Sequence, residues 1–160
     1  MSKSKNATRH GARELAFQVL YGISFTPVRS RRELQRAFVL SPHNTEMDEQ
    51  HLAEEPTGFA WELVEGVWAN TASLDETISR FSHNWRVDRM GRIELTLLRL
   101  AMFELIHRLD VPPKVTINEA LELGTQFGAD SAKNFINGIL DAVAKAVENG
   151  QLHPAPTANP

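Results

Sequence analysis

Arg9, His10 and Arg13 run directly into Phe17, Leu20 and Tyr21, and cations followed by rings are one of the few patterns in this chain that could do chemistry. Cations meet phosphates while bases stack on aromatic faces, so such a surface suits single-stranded nucleic acid. The competing reading is that the rings widen the core face of a helix. It is the stronger one for Phe17; for Tyr21, whose hydroxyl can stay wet, both remain open. A second cluster, FGADSAKNFING at 127–138, joins Phe127 and Phe135 to a glycine turn, a new helix N-terminus and the polar Lys133, Asn134 and Asn137. Helix N-termini attract phosphates, although the segment also reads as an ordinary helix–turn–helix corner. Lastly, Glu94 and Arg99 interrupt an otherwise apolar helical stretch. An unpaired buried charge costs about 3–5 kcal/mol, so each must reach the surface or find a partner, and a structural ion pair fits as well as a binding role.

Catalysis finds no comparable support. The six histidines include no pair spaced i, i+3 or i+4 and no HExxH motif, and there is no cysteine, which excludes a disulfide framework, a thiolate metal site and a thiol nucleophile. GxxxxGK[ST], GxGxxG and GxSxG are absent as well. The expectation is a binding protein, not an enzyme, with no cofactor.

Charge localises the binding. Residues 1–36 hold eight Lys or Arg, Lys5 among them, against two Glu, a net +6, so the other 124 residues carry −9. A basic front on an acidic body suits a local polyanion site, though a solvated, solubilising tail would show the same asymmetry.

The elements that must position these residues are helices. At 160 residues, 42% hydrophobic and 23% charged, the chain has the size and balance of one soluble globular domain. It lacks a signal-peptide pattern and any apolar run of the roughly 20 residues a membrane span needs, which fits the cytoplasm. Ala12, Leu15, Ala16, Val19 and Ile23 share one face of a first helix. Ser30-x-x-Glu33 opens a second helix as a capping box, with Leu34, Ala37 and Phe38 inward. Residues 41–57, acidic and bracketed by Pro42 and Pro56, read as a surface loop. A third helix buries Phe59, Leu63, Val64 and Val67. Ser73-x-x-Glu76 predicts the start of a fourth, with Leu74, Thr77, Ile78 and Phe81 inward. Residues 88–107 form a fifth, apolar almost all round and therefore central, which the prolines after Asp110 end. Thr116-x-x-Glu119 predicts the start of a sixth, closed by Phe127-Gly128. The last, capped by Asp130 or Ser131, carries the stripe Phe135, Ile139, Leu140, Val143 and Val147 and stops at Asn149-Gly150. One helical domain over 1–150 and an extended, disordered, proline-rich tail over 151–160 are expected.

These segments together resemble the NusB family of transcription antitermination factors. The opening Ala12-Arg13-Glu14-Leu15-Ala16-Phe17-Gln18-Val19-Leu20-Tyr21 is similar to that family's first helix. Leu98-Arg99-Leu100-Ala101, Phe103-Glu104-Leu105, Asp110-Val111-Pro112, Val115-Thr116-Ile117-Asn118-Glu119-Ala120 and Asn134-Phe135-Ile136-Asn137-Gly138-Ile139-Leu140-Asp141 follow its central signature in order, the match covering roughly 9–147. The resemblance implies an all-α fold of about seven helices in two packed helical bundles. It implies pairing with the small-subunit ribosomal protein NusE, binding of a boxA-like single-stranded RNA element in nascent, especially ribosomal, transcripts, and action within the RNA polymerase antitermination complex. A helical protein–protein adaptor or homodimer of the same fold, without strong RNA binding of its own, is the alternative. The resemblance also assigns roles. Lys5, Arg9, His10, Arg13, Tyr21, Arg99, Phe127, Lys133, Asn134 and Phe135 fall to RNA, and Glu94 to the ribosomal protein. The family's run of arginines is Arg9-His10-Gly11 here, and Asn134 stands where lysine is common.

Overall fold

The computed structural model describes residues 8–83 and 86–154. Among the described residues every regular element is helical: α1 (Arg9–Phe25), α2 (Arg31–Val39), α3 (Phe59–Ala69), α4 (Thr71–Phe81), α5 (Arg92–His107), α6 (Pro113–Gln126) and α7 (Lys133–Glu148), with short 3-10 turns at Glu49–His51, Val87–Arg89 and Asp130–Ala132. The expected all-α fold with seven helices is thus the one adopted. None of the described helices is long and apolar enough to cross a membrane. Backbone contacts divide the chain after Ala69 into two compact units. Lys5 and most of the proline-rich tail lie outside the described residues.

In the first unit, Thr8 starts α1 by accepting a hydrogen bond from the Gly11 N–H at 2.9 Å, which satisfies one of the four donors a helix start leaves open. Ala12, Leu15, Ala16 and Val19 are buried as their spacing predicts, and so are Phe17 and Leu20. This face packs on α3, where Leu63, Val64 and Val67 are buried. α2 begins as predicted, with Ser30 Oγ accepting from the Glu33 N–H at 3.1 Å. The Glu33 carboxylate turns back one residue further than a capping box requires and accepts from the Arg29 N–H at 2.7 Å. The acidic loop is ordered around the turn that Asp48 and His51 cap reciprocally.

In the second unit α5 is central, packed against α4, α6 and α7, as its all-round apolarity predicts; Leu97 to Leu98 and Leu100 to Ile106 are buried. Two helix starts differ from expectation. α4 begins at Thr71, so Ser73 lies within its first turn and its hydroxyl donates back to the Asn70 carbonyl at 3.1 Å. α6 begins at Pro113, because a proline in the first helical position loses only an N–H that would have no helical partner. Thr116 is therefore inside the helix and buried, and its hydroxyl has no hydrogen-bond partner among the described residues. The expected stops hold. Gly128 adopts φ +90° and Gly150 φ +72°, and the following N–H groups return to the Gly124 and Ala146 carbonyls at 2.7 and 2.8 Å, the long bond of a Schellman ending. α7 is rotated from its predicted stripe: Ile136 and Ala146 are buried with Ile139, Leu140 and Val143, while Phe135 and Val147 sit half-buried at the margins. No side chain caps it; the Asp130–Ala132 turn precedes it, and Asp130 instead accepts from Thr125 Oγ1 at 3.0 Å.

Candidate functional site

Successive fourth residues of a helix form a ridge, and on α1 that ridge reads Arg9, Arg13, Phe17, Tyr21, Phe25. Its ends are exposed and its middle is not. Arg9 and His10 are exposed at the start, Arg13 and Phe17 are 3% and 1% exposed, Tyr21 is half-buried, and Phe25 is 56% exposed. The Phe17 and Tyr21 rings stack with centroids 5.8 Å apart, and Tyr21 meets Phe25 edge-on at 5.0 Å. The Arg9 and Arg13 guanidinium groups approach the same ring, Phe59 at the start of α3, at 4.7 and 5.2 Å. Two expectations change. Arg13, read as a surface contact, is buried and supports the Arg9–Phe59 pair from within. The cations and rings, read as neighbours, are separated: Arg9 and Tyr21 lie twelve residues apart, roughly 18 Å along the axis. Phe25 drew no notice in the sequence, although the i, i+4 spacing Phe17–Tyr21–Phe25 was a signal for it.

The remaining basic front divides at α2. Arg31 is held by Glu55 and Glu65, the latter at 2.7 Å, and its guanidinium lies 5.5 Å from the centre of the Trp61 ring. Gln35 Nε2 donates to the same Glu55 carboxylate at 3.0 Å. The Arg31 hydrogen bond holds the Glu55 carboxyl below the usual carboxylate range, and Glu55 in turn makes Arg31 hold its proton more tightly than an ordinary arginine. The acidic loop, which had no assigned role, therefore clamps one arginine of α2.

In the second unit, Arg99 forms a fork with Asp75, both bonds 2.7 Å, the two side chains 23% and 27% exposed. Of the two readings open for Arg99, the structural ion pair is the one present. Glu94 is half-buried in the first turn of α5, its carboxylate folded back so close over Gly91 that a Cβ there would collide with it. Phe127, half-buried, closes α6. Lys133 and Asn134 are exposed at the start of α7, with Lys133 4.0 Å from Asp130. Asn134 and half-buried Phe135 border an open depression of ≈ 420 Å³ whose other wall is Phe81, Ser82 and His83 at the end of α4. That places polar groups and a ring edge at one concave surface, suited to a base or a partner side chain. Phe135 is accessible because Ile136, not Phe135, turned out to be the core position.

Comparison with known proteins gives one answer. The NusB family model matches residues 10–145. A transcription antitermination protein NusB of Desulfovibrio desulfuricans is 71% identical over 153 residues, covering 95% of this chain and 93% of that protein. One from Myxococcus xanthus is 42% identical over 139 residues, covering 87% and 96%. Among solved structures, Thermotoga maritima NusB superposes with TM-score 0.69 at 26% identity, covering 91% of this chain and 93% of that one. A chain from a structure described as antitermination factors NusB and NusE in complex with dsRNA superposes with TM-score 0.68 at 27% identity, covering 86% and 96%.

Proposed function

The chain belongs to the NusB family, and from that premise we propose that it is a transcription antitermination factor that binds a boxA-like single-stranded RNA element in nascent transcripts, ribosomal ones especially, together with the ribosomal protein NusE. The observation that carries the reading is the exposed start of α1, where Arg9 is held over the Phe59 ring beside His10. Packing on a ring fixes the guanidinium plane at an exposed position, which lowers the conformational cost of meeting a phosphate there. In the second unit Phe127, Lys133, Asn134 and Phe135 offer rings and polar groups for unstacked bases. Arg99, already forked to Asp75, orders that unit and adds little net charge. Lys5 would extend the basic start, and Glu94 would meet NusE.

Fluorescence anisotropy tests this with a boxA-like single strand, a scrambled strand and a duplex, each with and without NusE. The single strand carrying the element is expected to bind best, and more tightly with NusE. Binding should weaken with salt, each neutralised phosphate adding a slope of about −0.7 in log K against log salt, and Arg9→Ala should remove about one such increment. Equal affinity for all three RNAs with NusE present sinks the proposal. A duplex preferred over both strands would move recognition from bases to helix shape.

A further inference from the structure

We propose that α2 is a second RNA-backbone contact surface, with Arg32 and Arg36 binding phosphates that flank the strand held at the start of α1; this rests on the RNA reading above. Neighbouring arginines on one short helix are treated differently. Arg31 is enclosed by Glu55 and Glu65. Arg32 and Arg36 are exposed and have no carboxylate partner among the described residues. In a chain with 20 Asp and Glu against 17 Lys and Arg, nearby carboxylates are plentiful, and leaving two arginines unneutralised four residues apart concentrates positive potential on one face. With about 100° between successive residues, both point away from the buried Leu34–Phe38 stripe, their Cβ atoms about 6 Å apart on adjacent turns. Glu33 keeps its negative charge, but its carboxylate is turned back onto the Arg29 N–H and forms no ion pair with either arginine among the described residues. Arg32 lies in the first turn of α2, at the positive end of the helix dipole, and Arg36 in its last turn.

Placement favours a polymer over a compact acidic ligand. α3 starts beside both basic segments: Arg9 lies over Phe59 and Arg31 over Trp61, two residues apart and so on opposite flanks of α3, about 200° around its axis. The Phe38–Trp61 contact, centroids 5.3 Å apart, fixes α2 on that second flank. A ligand with charges repeated along its length can reach Arg9 and continue to α2. The clamp on Arg31 fits this role: it fastens the helix while leaving its outer face cationic.

The test uses the full chain with R32A/R36A, R32K/R36K and Arg9→Ala, and two RNAs, the element alone and the element with unstructured flanks on both sides. For R32A/R36A we expect unchanged affinity for the short RNA, weaker binding of the long one, and a salt slope on the long RNA reduced by about 1.4, two phosphates' worth. R32K/R36K should restore the slope. Alanine forms helix at least as well as arginine, so the fold should hold, and a melting curve checks it. Unchanged binding of the long RNA by R32A/R36A, with Arg9→Ala still weakened, overturns this inference alone. Equal loss on both RNAs, or loss seen only in association with NusE, overturns it too. If the wild-type chain binds neither RNA with NusE present, the RNA reading falls and takes this with it.

Discussion

At Phe17 and Tyr21 the residue type alone left packing and binding in competition, while Arg13 read as a surface contact, and burial separates the three. Phe17 and Arg13 are enclosed, whereas Tyr21 keeps a partly open face beside Phe25. A phenylalanine in a packed core leaves a cavity when truncated, at a cost of about 3–5 kcal/mol; a ring that stacks on a base contributes about 1–3 kcal/mol to binding instead. Phe17→Ala should therefore lower the denaturation midpoint strongly, with RNA affinity normal once corrected for folded fraction. Tyr21→Ala should leave the midpoint nearly unchanged and weaken RNA binding. If Tyr21→Ala melts early and binds RNA normally, the open end of the α1 ridge is packing and recognition rests on the cations. The sequence could rank Phe17 as core because it abuts the Ala16–Val19 stripe, but it could not show Arg13 turning inward, since that depends on Phe59, 46 positions away.

Helices were legible where local rules act alone and misplaced where two local signals compete. Ser30 opened α2 as its capping pattern predicts, and Gly128 and Gly150 closed α6 and α7, because a left-handed residue is needed there and glycine takes it without strain. Thr116-x-x-Glu119 resembles a start, yet Pro112-Pro113 precedes it, and a proline that fits the first helical position took the start four residues earlier. The displaced Thr116 hydroxyl is buried and unpartnered among the described residues. Such a group carries a desolvation penalty of about 1–3 kcal/mol, so Thr116→Val, which keeps the β-branched shape, should raise the melting temperature; a fall would mean the hydroxyl has a water partner. α5 offers a pH-dependent case. His107 stacks on Phe103, centroids 4.8 Å apart, and burial holds its pKa below the ordinary value of 6.5. The unfolded chain then takes up a proton at higher pH than the folded one. The His107 contribution is accordingly intact above pH 6.5 and is lost as pH falls below it through the lowered folded value. Melting between pH 7.5 and 5.5 should show a decline that His107→Asn flattens, and a wild-type slope retained in the variant would assign it to other histidines.

Across the whole chain, the charge asymmetry was readable as a sum but not as a distribution. Composition placed +6 in the first 36 residues; only the fold shows Arg31 clamped by the acidic loop, Arg13 enclosed, and Arg9, Arg32 and Arg36 displayed. Pairing across 24 or 34 positions has no local signature, so an ion pair at Arg99 could be read from the sequence but not Asp75 as its partner. Assembly raises the same question at Glu94, the one candidate assigned to a protein partner. Its carboxylate bends back over Gly91 at the positive end of α5, where a negative side chain contributes typically 0.3–1 kcal/mol to the helix. Glu94→Arg removes that and adds an unfavourable charge, so a modest loss of stability, about 1–2 kcal/mol, is expected whatever the residue binds. Association with NusE is the separate readout. A charge reversed at the edge of an interface places like charges opposite each other, which costs several kcal/mol against the partner, so binding should fall by at least tenfold. Glu94→Gln, neutral and close in shape, should fall between the two. If Glu94→Arg binds NusE as tightly as the wild type while melting slightly earlier, Glu94 serves only the start of α5, and the partner surface lies elsewhere in the chain.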